Sequence, residues 1–350
     1  MAREAWQELV DVDRLAAWMD SRGLEQGPIA DARPLTGGTQ NLLLRFQRGD
    51  RQFVLRRPPP HPRMDGTATM QREARVLGAL AGTRVPHARL IVGCDDKTIL
   101  GAGFYLMEPV EGFTPTGPLP APFVEHAGYR QQIGLAMAEA IAELAAVDYV
   151  AVGLADFGKI EGYLERQVGR WRSQLEGYRD YPGWPGPAGI PGTESVGLWL
   201  EANKPATFQP GIVHGDYHLA NVMFQHERPE LAAIVDWELA TIGDPLIDLG
   251  WLIATWPDAD GAGIVPKLEA SPWDRFVRAD ELIERYAQTS RRDLSDLRWY
   301  TVLACYKLGI LLEGSYARAC AGKAPMDVGL SLHAATLRLF ERAQNWMESR

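Results

Sequence analysis

Between Ile212 and Gly250 the chain reads IVHGDYHLANVMF and, after a short insertion, AIVDWELATIGDPLIDLG. These two stretches limit the possible folds more than any other part of the sequence. Pro210-Gly211 punctuates the chain, Gly211-Ile212-Val213 reads as a short strand entering a loop, and Asn221-Val222-Met223-Phe224 leaves that loop as another. Leu231-Ala232-Ala233-Ile234-Val235 then forms a buried strand that delivers Asp236 at its end, 15 residues after Asn221. A helix begins near Pro245. A turn in which Asp216 only accepts local backbone bonds would explain one half of this pattern, and an Asp236 that only caps a helix would explain the other. Neither explains both halves with Asn221 between them.

An amide and two carboxylates at this spacing suit transfer of a phosphoryl group. The reaction asks for one carboxylate to orient an attacking hydroxyl and take its proton, and for an amide and a second carboxylate to hold Mg²⁺ against a triphosphate. Asp216, Asn221 and Asp236 fit those roles in that order. His214 reads as a structural histidine that fixes the loop. His218, at the loop's centre, is open to two readings, steering of substrate or phosphate and packing. Glu238 is an acid supporting Asp236. Asp244 and Asp248 are bracing carboxylates, with Asp248 the better anchor for the loop's backbone N–H groups.

Upstream, Ala5 to Met19 has the spacing of an amphipathic helix, and Leu35 to Arg57 alternates as strands around Gly37-Gly38-Thr39-Gln40-Asn41 and the turn Gly49-Asp50. The Gly37-Gly38 turn with Thr39 and Gln40 would let backbone N–H groups approach phosphate. A helix follows over Thr69 to Leu80 with Glu73 in its first turns. Strands are expected at Ile91 to Gly93 and Phe104 to Met107. Strand alternation puts Arg56 on the face opposite Phe53 and Leu55, so Arg56 rather than Arg57 is the expected ion-pair partner of Glu73. A Pro-rich crossing at Pro115 to Pro122 leads into a long helix, Tyr129 to Val147. The expected division is therefore residues 1–110, a nucleotide-lid lobe, and 111–350, a helical lobe with the catalytic loop and acceptor site.

Composition narrows the class. The 350 residues are 46% apolar and 23% charged, ordinary globular usage, and a net charge of −9 argues against a nucleic-acid partner. The longest apolar stretches, such as Leu303 to Leu312, are too short or too interrupted to cross a bilayer, and the start is charged. Cys94, Cys305 and Cys320 lack metal-ligand spacing and read as reduced thiols, in keeping with a cytoplasmic protein. Oligomeric state stays open.

At His214-Gly215-Asp216, Asn221 and Val235-Asp236-Trp237 the chain resembles the aminoglycoside phosphotransferase and choline kinase-like superfamily, relatives of the protein kinases. Within it, GGTQNLLLRF, FVLRRPPP, GFYLMEPVEG, VGLADFGKIEGYLERQVGRW and DWELATIGDPLIDLG are most similar to the kinase-like domain of the acyl-CoA dehydrogenase 10/11 group. The resemblance implies an α+β, bilobal, protein kinase-like fold with a small antiparallel sheet lobe and a mainly helical lobe. It implies ATP between the lobes, Mg²⁺ on Asn221 and Asp236, and a hinge in which backbone groups of Glu108 to Val110 pair with adenine. The strand lysine of protein kinases is absent, and arginine stands in its place. The implied acceptor is a small hydroxylated molecule, a hydroxyacyl-CoA such as a 4-hydroxyacyl-CoA. An aminoglycoside or other small alcohol is the alternative acceptor, and a catalytically silent nucleotide-binding module the alternative from another class.

Overall fold

The computed structural model describes residues 5–35, 41–60 and 65–348. Within it Met1–Glu111 with Ala233–Ala240 form one compact unit, and Gly112–Ala232 with Thr241–Arg350 form another. The expected boundary near residue 110 did not provide for the excursion at 233–240, which carries Asp236 into the first unit.

The first unit is built on a five-stranded antiparallel sheet. Its strands are β1 (Ala30–Pro34), β2 (Leu42–Arg48), β3 (Arg51–Arg57), β4 (Leu90–Cys94) and β5 (Phe104–Met107), in the order β1-β2-β3-β5-β4. Opposite Arg48 and Arg51 pair across the Gly49-Asp50 turn, where Gly49 takes φ 54°, a conformation that costs glycine little. Alternation along β3 then decides what each face meets. Phe53 and Leu55 bury against α1 residues (Val12–Ser21), with Leu15, Trp18 and Met19 in the same core, and Trp18 meets Phe104 edge-on at 4.9 Å. Val54 and Arg56 face the other way, toward α2 (Gly66–Leu80). The expected helix from Ala5 to Met19 is in fact two pieces, a 3₁₀ turn at Ala5–Glu8 and α1. Asp11 separates them because its carboxylate accepts from Asp13 and Arg14 N–H and starts a new helix. Asp65 caps α2 in the same way, through Thr67 and Ala68 N–H. A one-turn helix, α3 (Lys97–Leu100), lies between β4 and β5.

The second unit is mainly helical. In chain order it contains β6 (Gly117–Pro118), α4 (Ala121–Glu125), α5 (Ala127–Ala146), α6 (Glu165–Gly177), α7 (Thr193–Ala202), β7 (Gly211–Val213) and β8 (Val222–Phe224). The chain passes back to the first unit within β9 (Leu231–Ile234) and returns at β10 (Thr241–Gly243). It continues through α8 (Leu246–Thr255), β11 (Ala270–Ser271), α9 (Ala279–Thr289), α10 (Leu297–Cys320) and α11 (Met326–Glu348). Strand β7 pairs antiparallel with β10, so the loop after β7 starts from a fixed edge beside the entry to α8. All ten residues of α8 are buried, which is why its sequence is almost wholly apolar rather than striped. None of the three cysteines is in a disulfide, and among the described residues no helix is long and apolar enough to cross a membrane.

Helices α8 and α10 touch at Gly250, where an added Cβ would lie 2.6 Å from the backbone of Tyr300. Only glycine permits that approach. Gly250→Ala is expected to destabilise the chain by about 1–3 kcal/mol through overpacking, seen as a lower urea midpoint. An unchanged midpoint would show that the helices separate without cost.

Candidate active site

In the first unit, three of the expected residues converge. Arg56 Nε lies 2.9 Å from Glu73 Oε2 and Arg56 Nη2 lies 2.7 Å from Asp236 Oδ1. The Tyr105 hydroxyl donates to the same Glu73 oxygen, Oε2, at 2.8 Å, and Arg56 Nη2 donates to Oε1 at 3.3 Å. Arg57 points away and donates to the Leu9 carbonyl, which settles which arginine meets Glu73. Burial opposes the Arg56 cation, yet Glu73, Tyr105 and Asp236 outweigh it and hold its pKa above the ordinary value. Burial pushes the Glu73 carboxyl up to about 7 against the pull of Arg56 and the Tyr105 hydroxyl, and Glu238 adds to the rise. Asp236 has φ 67° and ψ 67°, a left-handed conformation immediately after β9 that turns its half-exposed carboxylate toward Arg56. Glu238 sits one residue beyond Trp237 in a 3₁₀ turn, Trp237–Leu239.

The segment after β5 corrects part of the hinge expectation. Glu108 N–H donates to the Arg89 carbonyl at 2.9 Å, extending the sheet, and its side chain pairs with Arg51 at 2.9 Å. The Glu108 amide is therefore spent on Arg89, just ahead of β4, and of the expected hinge amides only that of Val110 is left. Gly37, Gly38, Thr39 and Gln40 lie outside the described residues.

The second unit holds the loop from His214 to Asn221. Asp248, on the first turn of α8 and fully buried, accepts His214 N–H at 2.6 Å and Gly215 N–H at 2.8 Å. Gly215 takes φ 90°, so the chain can turn between these two amides. His214 is fully buried, and its Nδ1 accepts the Asp216 N–H at 3.3 Å. Tyr217, also buried, donates to the Met137 carbonyl of α5 at 2.9 Å. Asn221 ends a 3₁₀ turn, Leu219–Asn221, rather than starting the strand β8 as expected, because His218 Nδ1 caps that turn by accepting Ala220 N–H.

Asp216 receives three side-chain donors. His218 Nε2 lies 3.2 Å and Trp251 Nε1 3.0 Å from Oδ1, while Asn221 Nδ2 donates to Oδ2 at 3.0 Å and to the Asp216 carbonyl at 2.9 Å. With His218 Nδ1 accepting the Ala220 N–H, the N–H at Nε2 is the one that faces the Asp216 carboxylate. Burial alone would raise the Asp216 pKa. The His218 hydrogen bond and charge, with His214 and Lys307, more than reverse it and hold the carboxyl at about 2.

Two members of this cluster escaped the sequence reading. Trp251 stands in an apolar helix, and nothing in the sequence tells a packing tryptophan from one whose N–H is aimed at a carboxylate. Lys307 of α10 donates to the Gly215 carbonyl at 3.2 Å and sits 4.3 Å from the Trp251 ring centroid. Its signal was visible, as the one charge interrupting the apolar run Leu303 to Leu312. Asp244 caps α8 through Leu246 N–H at 3.0 Å and accepts the Tyr300 hydroxyl, a brace away from Asp216.

His218→Ala removes the largest influence that lowers the Asp216 pKa and leaves burial, which raises it. The carboxyl is therefore expected to titrate well above 2 in the variant, read by carbon NMR of a labelled aspartate side chain. An unmoved titration would show that His218 does not hold the charge.

A family model described as the phosphotransferase enzyme family matches residues 31–297. Acyl-CoA dehydrogenase family member 10 of Mus musculus is 30% identical over 82% of this chain and 26% of its own length. Member 11 of Pongo abelii is 27% identical over 90% of this chain and 40% of its own. The chain thus spans between a quarter and two fifths of these relatives. A solved Ralstonia eutropha structure, provisionally designated an aminoglycoside phosphotransferase, is 28% identical, covers 96% of this chain and 98% of its own, and superposes with a TM-score of 0.79. With more than half its length matched and the α+β architecture shared, the chain belongs to the phosphotransferase enzyme family.

Proposed function

We propose that this protein is an ATP- and Mg²⁺-dependent phosphotransferase that phosphorylates a hydroxyl of a hydroxylated acyl-CoA. The observation that carries the phosphotransferase reading is the hydrogen-bond set of Asp216: two donors on Oδ1, one on Oδ2, and a position for a further donor left on Oδ2. An acceptor hydroxyl completes that set. A carboxyl held at about 2 is a weak base, so Asp216 orients the hydroxyl first and takes its proton late, as the new P–O bond forms and the proton grows acidic. Most of the acceleration then comes from positioning.

The residues present suit Mg²⁺. Asn221 Nδ2 is committed to Asp216, which leaves the amide oxygen as its donor atom for a metal, and Asp236 keeps Oδ2 while Oδ1 holds Arg56. Both are hard oxygen donors. As the family resemblance implies, Asn221 and Asp236 would hold Mg²⁺, which would supply neutralisation of charge on the transferred phosphoryl group. Arg56 braces Glu73 and Asp236 through Nε and Nη2, leaving Nη1 to meet a phosphate oxygen of ATP. The intact Asp216, Asn221 and Asp236 favour an enzyme over a silent nucleotide-binding module.

Two observations support the acyl-CoA side of the reading. The relatives matched over most of this chain are named acyl-CoA dehydrogenase family members, and phosphorylation of a hydroxyacyl-CoA turns its hydroxyl into a leaving group for later chemistry on the acyl chain. Cations also act on Asp216: the Lys307 ammonium pulls on its carboxylate from beyond ion-pair distance, and Arg170 of α6 acts on Lys307. That field suits an anionic acceptor better than a polycation. The designation of the Ralstonia protein keeps an aminoglycoside acceptor as the second reading.

A Mg·ATP screen against hydroxyacyl-CoAs, free hydroxy acids and aminoglycosides, read by mass, is expected to give a phosphorylated hydroxyacyl-CoA. Transfer to an aminoglycoside alone would replace the acceptor and leave the phosphotransferase reading standing. In the same assay Asp216→Asn is expected to lose at least about a hundredfold in turnover with ATP binding kept. Near-normal turnover would remove Asp216 from the role.

For the metal, calorimetric titration of Asp236→Ala should show loss of Mg²⁺-dependent ATP affinity, while Asn221→Ala should weaken it less, because an amide brings no charge. Full affinity in Asp236→Ala would refute the assignment.

A further inference from the structure

Helix α10 is 24 residues long, and its buried positions from Leu297 to Ile310 are apolar or aromatic apart from Thr301. Lys307 is a half-buried ammonium within this segment. A lysine in such a place costs free energy unless its charge is met, and the usual partner is a carboxylate. Among the described residues none lies within 4.0 Å of it. Instead Nζ donates to the Gly215 carbonyl at 3.2 Å and rests 4.3 Å from the centroid of Trp251, with Trp171 of α6 at 5.5 Å. A methionine would serve packing better, so stability does not explain the charge.

Where the ammonium points does explain it. The peptide between Gly215 and Asp216 is held at both ends: its carbonyl by Lys307 and its N–H by His214 Nδ1. Rotation of that plane would swing the Asp216 side chain. Trp251, whose ring carries the ammonium, donates its own N–H to Asp216 Oδ1. A cation on an indole face draws density from the ring and makes that N–H a stronger donor. One side chain thereby acts on both the backbone and the carboxylate of Asp216.

We propose that Lys307 is a positioning residue for phosphoryl transfer, clamping the Gly215 carbonyl and the Trp251 ring so that together they aim Asp216. The inference rests on the phosphotransferase reading above. The charged groups facing the ammonium are Asp216 on the loop, Asp248 on α8 and Arg170 on α6. Burial draws the Lys307 pKa down to about 8 against the pull of the two carboxylates. The clamp therefore holds below that pH and loosens above it.

The test compares Lys307→Met and Lys307→Arg with the wild type by turnover, thermal midpoint and amide exchange over residues 214–221. In Lys307→Met, kcat should fall by about ten- to a hundredfold with KM for MgATP within about threefold, because aim rather than ATP binding is lost. Exchange over the loop should rise while the thermal midpoint does not drop. Lys307→Arg keeps the cation and should stay within about fivefold of wild-type kcat, without the fall that the wild type shows as pH rises through about 8. Wild-type kcat in Lys307→Met, or equal losses of kcat and stability in both variants, would overturn the proposal. If the wild type transfers no phosphate to any acceptor, the phosphotransferase reading fails. Loop exchange still judges the clamp in that case, and unchanged exchange in Lys307→Met sinks it.

Discussion

The second unit depends on a single buried carboxylate accepting two backbone amides. Asp248 is enclosed in an apolar helix, where burial raises its pKa, and the pull of His214 with the Gly215 and His214 amides works against that rise. Because it takes both N–H groups, the position of α8 and the path of the loop are one constraint. Three residues on, the same face of α8 presents Trp251, whose N–H reaches Asp216 at 3.0 Å. Helix α8 therefore sets the loop's backbone at Asp248 and its carboxylate at Trp251.

The two units handle carboxylates in opposite ways. Asp216 gathers N–H donors, His218 foremost, and feels the Lys307 ammonium, so its ionised form is favoured and its pKa falls. Glu73 lies in a drier place, where desolvation outweighs Arg56 and the Tyr105 hydroxyl and the pKa rises. Arginine in the strand position normally held by lysine has a physical account in this second cluster. The guanidinium meets Glu73 through Nε and Nη2 and Asp236 through Nη2, and it keeps its charge in a buried place where an ammonium is more readily neutralised.

Much of this was legible because short-range chemistry carried it. Period-two alternation separated Arg56 from Phe53 and Leu55 and so assigned the ion pair with Glu73. The spacing HGDxxxxN brought Asp216 and Asn221 into one loop, and an acid on the first turn of the following helix marked Asp248 as an anchor. Where the reading slipped, a local bond had intervened. Asp11 split the first helix by capping a new one, and His218 held Leu219–Asn221 in a turn that the apolar pattern had assigned to strand. The Glu108 amide, read as open to a ligand, was taken up by Arg89, just ahead of the neighbouring strand.

By itself the sequence determined most of the run of strands and helices and the identity of the acidic and amide groups at the candidate site, since these follow from periodicity and spacing along the chain, while the α+β class came with the family resemblance those motifs carry. Only the tertiary structure decided that Trp251 and Lys307 belong with Asp216. Those residues are 35 and 91 positions away from it, and their contacts depend on where α8 and α10 are packed. The physical reason is that an indole N–H or an ammonium has the same appearance in a sequence wherever it points. Its meaning comes from the acceptor that folding places in front of it.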